Sequence, residues 1–273
     1  MRNKLGTVLI YTLLVVGAAL ALLPMLWMIA ASFMQPGEAA TFPPRLLPKD
    51  PTVEHYRTLF TRLNLGRYLL NSTIVAVTVS VVSLLINSMA GYAFAKLRFR
   101  GRDRLFRFLT LGLVIPVQVS MLPLFLMLRE LGLINTYWGV IIPGLASIFG
   151  IFLIRQYAIS IPDDLIDAAR IDGASEFRIY WSVVLPVVRP ILATLAIWTF
   201  LSTWNDFMWP LIVLSDESMF TLPVALANLS GERVQDMELM MAGSVLTVLP
   251  VMLVFMFLQR YYVEGITMGS VKG

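Results

Sequence analysis

Residues 167–190 read "DAARIDGASEFRIYWSVVLPVVRP". Six of these 24 positions are charged: Asp167, Arg170, Asp172, Glu176, Arg178 and Arg189. The surrounding chain is far more apolar. Of its 273 residues 58% are hydrophobic and only 14% charged, with a mean hydropathy of +0.78. Soluble domains carry about 25% charged residues. A deficit spread over the whole length implies an all-α integral membrane protein. The charged stretch then has to lie outside the bilayer, between two spans.

A spanning helix needs about 20 mostly apolar residues. Reading between charges gives six candidates, at 8–32, 69–95, 108–128, 133–154, 190–214 and 239–259. The first is longer than the apolar run of about 7–15 residues in a secretory signal, so an uncleaved helix is expected. Its neighbours leave external loops at 33–67 and 215–238 and a loop at 155–189, within a single transmembrane domain, 1–273. Internal prolines fall at Pro24, Pro116, Pro123, Pro143, Pro210 and Pro250. They suit either the ordinary proline content of membrane helices or a bundle of kinked helices that rock about a cavity.

Basic residues orient the spans. The loop "KLRFRGRDRLFR" (96–107) carries six Lys/Arg and is expected on the cytoplasmic side. Alternating from it places both termini and the 155–189 loop inside as well, so that 14 of the 21 Lys/Arg are cytoplasmic. The formal charge of +4 is thus better explained by lipid headgroups and membrane orientation than by nucleic acid.

The opening stretch reads as two short helices joined by a turn. In "IPDDLIDAARID" (161–172) a proline and two acids suit a helix start. Leu165, Ile166 and Ala169 recur at helical spacing, with Ala168 and Asp172 near the same stripe. Gly173 stands where a left-handed C′ residue ends the helix, and Ser175 can cap the next one, with Glu176 in its first turn. That helix is predicted to run through "EFRIYWSVVL" until Pro186 bends or ends it. Residues alone allow either an amphipathic elbow resting on headgroups or a docking surface for a partner, which the small Ala168 and Ala169 would admit closely.

Several chemistries are excluded. Without cysteine there is no disulfide, zinc-thiolate site or Cys nucleophile. The single histidine, His55, is expected to be an ordinary surface residue, and no metal site is expected. No G-x-x-x-x-G-K-[ST] occurs, so no P-loop is present. Within the spans the costly groups are Asn205 and Asp206, in "FLSTWNDFMWPLIVL" (200–214). They are read either as a helix–helix contact or paired acid, or as lining a solute path or its outer gate with Trp204, Phe207 and Trp209. "FTLPVALANLSGE" (220–232) reads only as a fairly apolar external loop.

The 167–186 segment resembles the signature loop of permease subunits in binding-protein-dependent ABC importers: Glu-Ala-Ala, two residues, Asp-Gly-Ala, an aromatic, then Leu-Pro. The match falls at Ala168, Ala169, Asp172, Gly173, Ala174, Leu185 and Pro186, with Asp167 where Glu is usual and Tyr180 where Phe is usual. With "GITMGSVKG" at the end, the whole chain is similar to maltose-type (MalG-like) sugar permeases.

The resemblance implies a type I ABC importer permease fold with six spans and both termini cytoplasmic, in the plasma (inner) membrane of a prokaryote. It makes 163–186 the coupling helix-turn-helix, and Val271, Lys272 and Gly273 a tail reaching the ATPase pair. Phe220, Leu222, Pro223, Leu226 and Asn228 become contacts for an extracytoplasmic sugar-binding protein. The other implied partners are a second homologous permease subunit and two ATP-binding subunits. The chain itself would be no enzyme and hold no cofactor, ATP and Mg belonging to the ATPase subunits. The alternatives are import of a non-sugar solute such as glycerol phosphate, an intramembrane enzyme, or a transporter or channel working alone.

Overall fold

The computed structural model describes residues 4–232 and 236–268, and every regular element among them is helical. In chain order the helices are α1 (Lys4–Ala31), α2 (Glu54–Thr61), α3 (Leu65–Lys96), α4 (Arg102–Leu111), α5 (Val117–Glu130), α6 (Tyr137–Ile141) and α7 (Ile148–Ile159). They continue as α8 (Asp163–Ile171), α9 (Glu176–Ile179), α10 (Leu185–Val187), α11 (Arg189–Trp204), α12 (Met208–Val213), α13 (Leu222–Glu232) and α14 (Met237–Met268).

Among the described residues four stretches are long and apolar enough to span a bilayer: Gly6–Ala31, Leu65–Lys96, Tyr137–Ile159 and Met237–Phe257. Two more reach that length only as bent pairs. The expected third span, 108–128, is broken: Arg102–Val114 and Val117–Glu130 meet at 107°. Pro116 is the cause. It lacks an N–H, and it drives the preceding Ile115 into extended backbone, φ −81°, ψ 118°. The fifth is broken twice. Glu176–Val187 turns by 80° into Arg189–Trp204, ahead of Pro190. The helix then stops at Trp204 rather than continuing to 214, and α12 starts afresh at Met208.

The chain divides into two compact units, Met1–Arg67 with Ala225–Pro250 and Tyr68–Val224 with Val251–Gly273. In the first unit, α1 exposes an apolar surface all round, from Val8 and Leu9 to Leu26, as a lipid-facing helix does. Beyond it Ala31, Met34 and Ala39 are enclosed with Trp27 and Met241. The Ala39 N–H donates to Glu238 Oε1 at 2.8 Å. His55 is buried here, contrary to the surface position expected of it: Nε2 lies 2.8 Å from the Met34 carbonyl, and Nδ1 3.9 Å from Asp236. A solitary polar neighbourhood in sequence could not show that the 33–53 segment folds back over it.

In the second unit α3 acts as a polar spine for the breaks. Asn87 Oδ1 accepts the Ser147 N–H at 3.0 Å where the helix is interrupted before α7. Asn71 Nδ2 donates to the carbonyls of Ser218 (3.0 Å) and Phe220 (2.9 Å), and Ser72 Oγ accepts the Leu222 N–H at 2.7 Å. Lipid offers backbone groups no partner, so each interruption needs a protein one.

Candidate functional site

The segment after α7 folds as a helix, a glycine turn and a second helix. Asp163 and Asp164 occupy the first turn of α8 and Arg170 its last, both favourable to the helix dipole. Gly173 has φ +79°. Its N–H donates to the Arg170 carbonyl and the Ala174 N–H to that of Ala169, each at 3.0 Å. These two bonds are the Schellman closure of a helix C-terminus. Ser175 Oγ then accepts the Arg178 N–H at 3.3 Å and caps α9. Tyr180–Val184 widens into a π turn just ahead of Pro186. A widened turn accommodates a proline ring that would clash with the carbonyl four residues earlier.

The underside of this elbow is packed. Ile166, Ile179, Tyr180 and Val184 are buried in one cluster with Tyr92, Ala158, Ile161, Val188 and Ile191, and Ala169 and Ala174 rest on it. Each large apolar side chain so buried stabilises by roughly 1.5–3 kcal/mol. An elbow lying on headgroups would offer Ile166 and Ile179 to lipid. Here they close against protein. The outward side carries Asp167, Ala168, Asp172 and Gly173, all exposed. Ile171 stands among them at 87% exposure. Phe177 and Trp181 form a stacked, exposed pair (6.2 Å, 14°) on the second arm.

Polar links bind the elbow to α3. Ser88 Oγ and Tyr180 Oη lie 2.7 Å apart, both buried. Leaving either hydroxyl without a partner would cost about 1–3 kcal/mol. Tyr92 Oη donates to Glu176 Oε2 at 2.7 Å, and Arg170 bridges Glu176 (2.7 Å) and Asp167 (2.9 Å). Lys96 Nζ donates to the Ile161 carbonyl and to Asp163 Oδ1, each at 2.6 Å. Lys96 holds the Asp163 carboxyl below its ordinary range, chiefly through that hydrogen bond. The contribution is therefore complete above the ordinary carboxyl pKa and fades as pH falls through the lowered one. Ser88, Tyr92 and Lys96 are four residues apart and so lie one above another on α3. Their common stripe was readable in the sequence, but nothing there said what it would meet. Ile171 carried a fainter signal, an isolated apolar residue between two charges.

The second candidate group sits at the break after α11. Trp204 is buried and stacked on Phe200 (5.6 Å, 16°), so its ring serves packing and presents no free face. The Asn205 amide donates to the Leu201 carbonyl at 2.9 Å, closing α11. Asp206 Oδ1 accepts the Trp209 N–H at 3.3 Å, opening α12. Asp206 also borders a cavity of about 330 Å³, shared with Ser120, Met121, Val140, Thr203 and Trp209. That is at the lower end of ligand-pocket sizes, about 300–1,000 Å³. Phe207 is half-buried and does not line it.

Residues 220–232 are not an irregular loop, since most form α13. Leu222 is wholly enclosed, which removes its side chain from any docking surface. Phe220 is half-buried against the cluster around Val75 and Trp209. Leu226 packs close to Gly243, Pro223 is half-buried, and Asn228 is exposed. Proline at the second position of a helix needs no N–H there, a start signal that reading by apolarity overlooked. Val271, Lys272 and Gly273 lie outside the described residues. Among the described residues no three His, Asp or Glu side chains converge as metal ligands.

The chain is similar to the arabinooligosaccharides transport system permease protein AraQ of Halalkalibacterium halodurans, with 39% identity across the full length of both chains. It is 34% identical to the diacetylchitobiose uptake system permease protein NgcG of Streptomyces coelicolor, over 96% of this chain and 88% of that one. Its fold matches a chain in the crystal structure of a bacterial ABC transporter involved in the import of the acidic polysaccharide alginate. There the TM-score is 0.83 and the identity 28%, covering 96% of this chain and 98% of that one. Residues 87–268, which hold both the elbow and the broken fifth span, match the family model described as binding-protein-dependent transport system inner membrane component. With matches of this length, and a type I ABC permease fold to carry the elbow, the chain belongs to that family of inner-membrane transport components.

Proposed function

We propose that this chain is one of two permease subunits of an ATP-driven importer, and that it moves a sugar or oligosaccharide delivered by an extracytoplasmic binding protein. The observation that carries the reading is the two-sided elbow. Its underside is buried and pinned to α3, and its outer face presents Asp167, Ala168, Ile171 and Asp172 to something else. A part so stiffly mounted passes a displacement on as a rigid body. The outer face would dock in an ATP-binding subunit on the cytoplasmic side, the orientation favoured by the basic 96–107 loop. Asp167, Ala168, Ala169, Asp172, Gly173 and Ala174 shape that face and its turn; Tyr180, Leu185 and Pro186 seat it. The chain has no P-loop, so ATP and Mg belong to the two partner subunits. Asn228 and Pro223 remain available to the binding protein. The sugar class is supported by the two relatives, which are named for transport of arabinooligosaccharides and uptake of diacetylchitobiose.

The test is composition followed by stimulation. Gentle extraction should bring along a second permease and two ATP-binding subunits. In proteoliposomes ATP hydrolysis should rise with binding protein loaded with a neutral oligosaccharide, and not with glycerol phosphate. An isolated chain would remove the coupling reading, and a response to glycerol phosphate alone would replace the sugar.

Asp206 is assigned to the solute path, where its carboxyl oxygens can accept hydrogen bonds from sugar hydroxyls entering the cavity. Asn also caps helices, so Asp206→Asn should leave α12 in place. Loss of a charged acceptor costs about 1.5–3 kcal/mol. The half-saturating sugar concentration for uptake is thus expected to rise about tenfold or more, with membrane levels unchanged. Unaltered uptake would leave Asp206 with its capping role alone.

A further inference from the structure

The ten residues 98–107 carry five arginines and one aspartate, and little of that charge is used internally. Arg102 bonds to Asp103 (3.0 Å) and to the Leu97 carbonyl (3.2 Å). Arg107 reaches the Asp103 carbonyl at 3.3 Å. The Arg98, Arg100 and Arg104 side chains are exposed and make no hydrogen bond or ion pair among the described residues, Arg98 adding only a lesser pull than Lys96 on the Asp163 carboxyl. The backbone reverses at Gly101 (φ +86°), where no atom lies within 4 Å of a side-chain position. The turn folds the two halves of the basic run around an open hollow of about 970 Å³ lined by all five arginines.

The same segment has an apolar outer side. Phe106 anchors α4 inward, against Phe94 (5.4 Å) and Phe152 (6.3 Å), with the Arg155 guanidinium 4.0 Å over its ring. Leu105, Phe108 and Leu111 then project outward, Phe108 at 75% exposure, interleaved with Arg104 and Arg107. A firmly held helix that sets arginines beside exposed aliphatic and aromatic groups suits a ligand anionic at one end and oily at the other.

We propose that the hollow around Arg98, Arg100 and Arg104 binds the headgroup of an anionic phospholipid, whose acyl chains lie along Leu105, Phe108 and Leu111. Guanidinium forks match phosphate oxygens in pairs. Each basic side chain brought to an anionic bilayer surface adds about fivefold in affinity. The site does not depend on what the chain transports.

The test uses the complete chain, extracted in mild detergent with whatever subunits accompany it. Equimolar phosphatidylglycerol and phosphatidylethanolamine are supplied, and retained lipid is counted by native mass spectrometry. The wild type should hold phosphatidylglycerol in at least a fivefold excess. R98Q/R100Q/R104Q should reduce that excess to parity, whereas R57Q/R62Q, elsewhere on the chain, should keep it. No excess in the wild type, or an excess that survives the triple substitution, overturns the proposal. So does its displacement by millimolar inorganic phosphate, which would mark a site for soluble anions. Loss of an ATP-binding subunit from the triple variant, with the lipid excess intact, would assign the arginines to a protein partner and overturn it equally.

Discussion

Gly173→Val is expected to reach the membrane at the wild-type level and to import less than a tenth as much. The physical reason lies in the backbone and not in crowding. A Cβ at Gly173 would meet nothing within 4 Å, but φ is +79°, which a β-branched residue adopts only under strain. A residue held in such a region costs about 1–3 kcal/mol. The chain can relieve it by opening the Arg170 and Ala169 closures, and that swings α8 relative to α9 and displaces the Asp167–Asp172 face. A graded series separates this from general damage. Asn tolerates the left-handed region and should retain most uptake, Ala should be intermediate, and Val should be nearly inactive. Sugar uptake by membranes of matched protein content makes the measurement. Equal uptake by all three would mean that the turn geometry is irrelevant to coupling.

Ile171→Asp should strip the ATP-binding subunits from the complex. Ile171 is 87% exposed, so its replacement leaves the chain's own core intact. Burying an isoleucine in a partner contributes about 1.5–3 kcal/mol, and an aspartate there would also have to be desolvated beside Asp172. Retention of those subunits, read by quantitative co-purification, is expected to fall about a hundredfold, and hydrolysis driven by the binding protein with it. Ile171→Ala should lose only part of it. Full retention in the Asp variant would show that this side of α8 is not the contact.

The elbow is legible in the sequence. Gly173, Ser175 and the acids at 163–164 are local signals, because a positive φ, a cap and a dipole each involve neighbours only a few residues away. The breaks were half legible. Pro116 and Pro186 were visible, though the second break falls just past Pro186, ahead of Pro190, and a bend of 107° or 80° depends on what receives the freed backbone groups. Those receivers, such as Asn87 for the Ser147 N–H, are far away in the chain. The same distance hid the burial of His55 and Leu222 and led to Trp204 being read as a pathway ring.

By itself, then, the order of amino acids determined that the chain is helical and lipid-embedded, where its polar elbow lies and which way its turn must go. Apolar length, proline and glycine act through the backbone nearby, and they need no partner to do so. Tertiary structure alone decided that Ser88, Tyr92 and Lys96 hold the elbow to α3. It also decided that Asp206 borders a cavity while Trp204 fills the core. Hydrogen bonds and packing between residues 60 to 150 positions apart depend on how the helices meet, and no local pattern encodes that meeting.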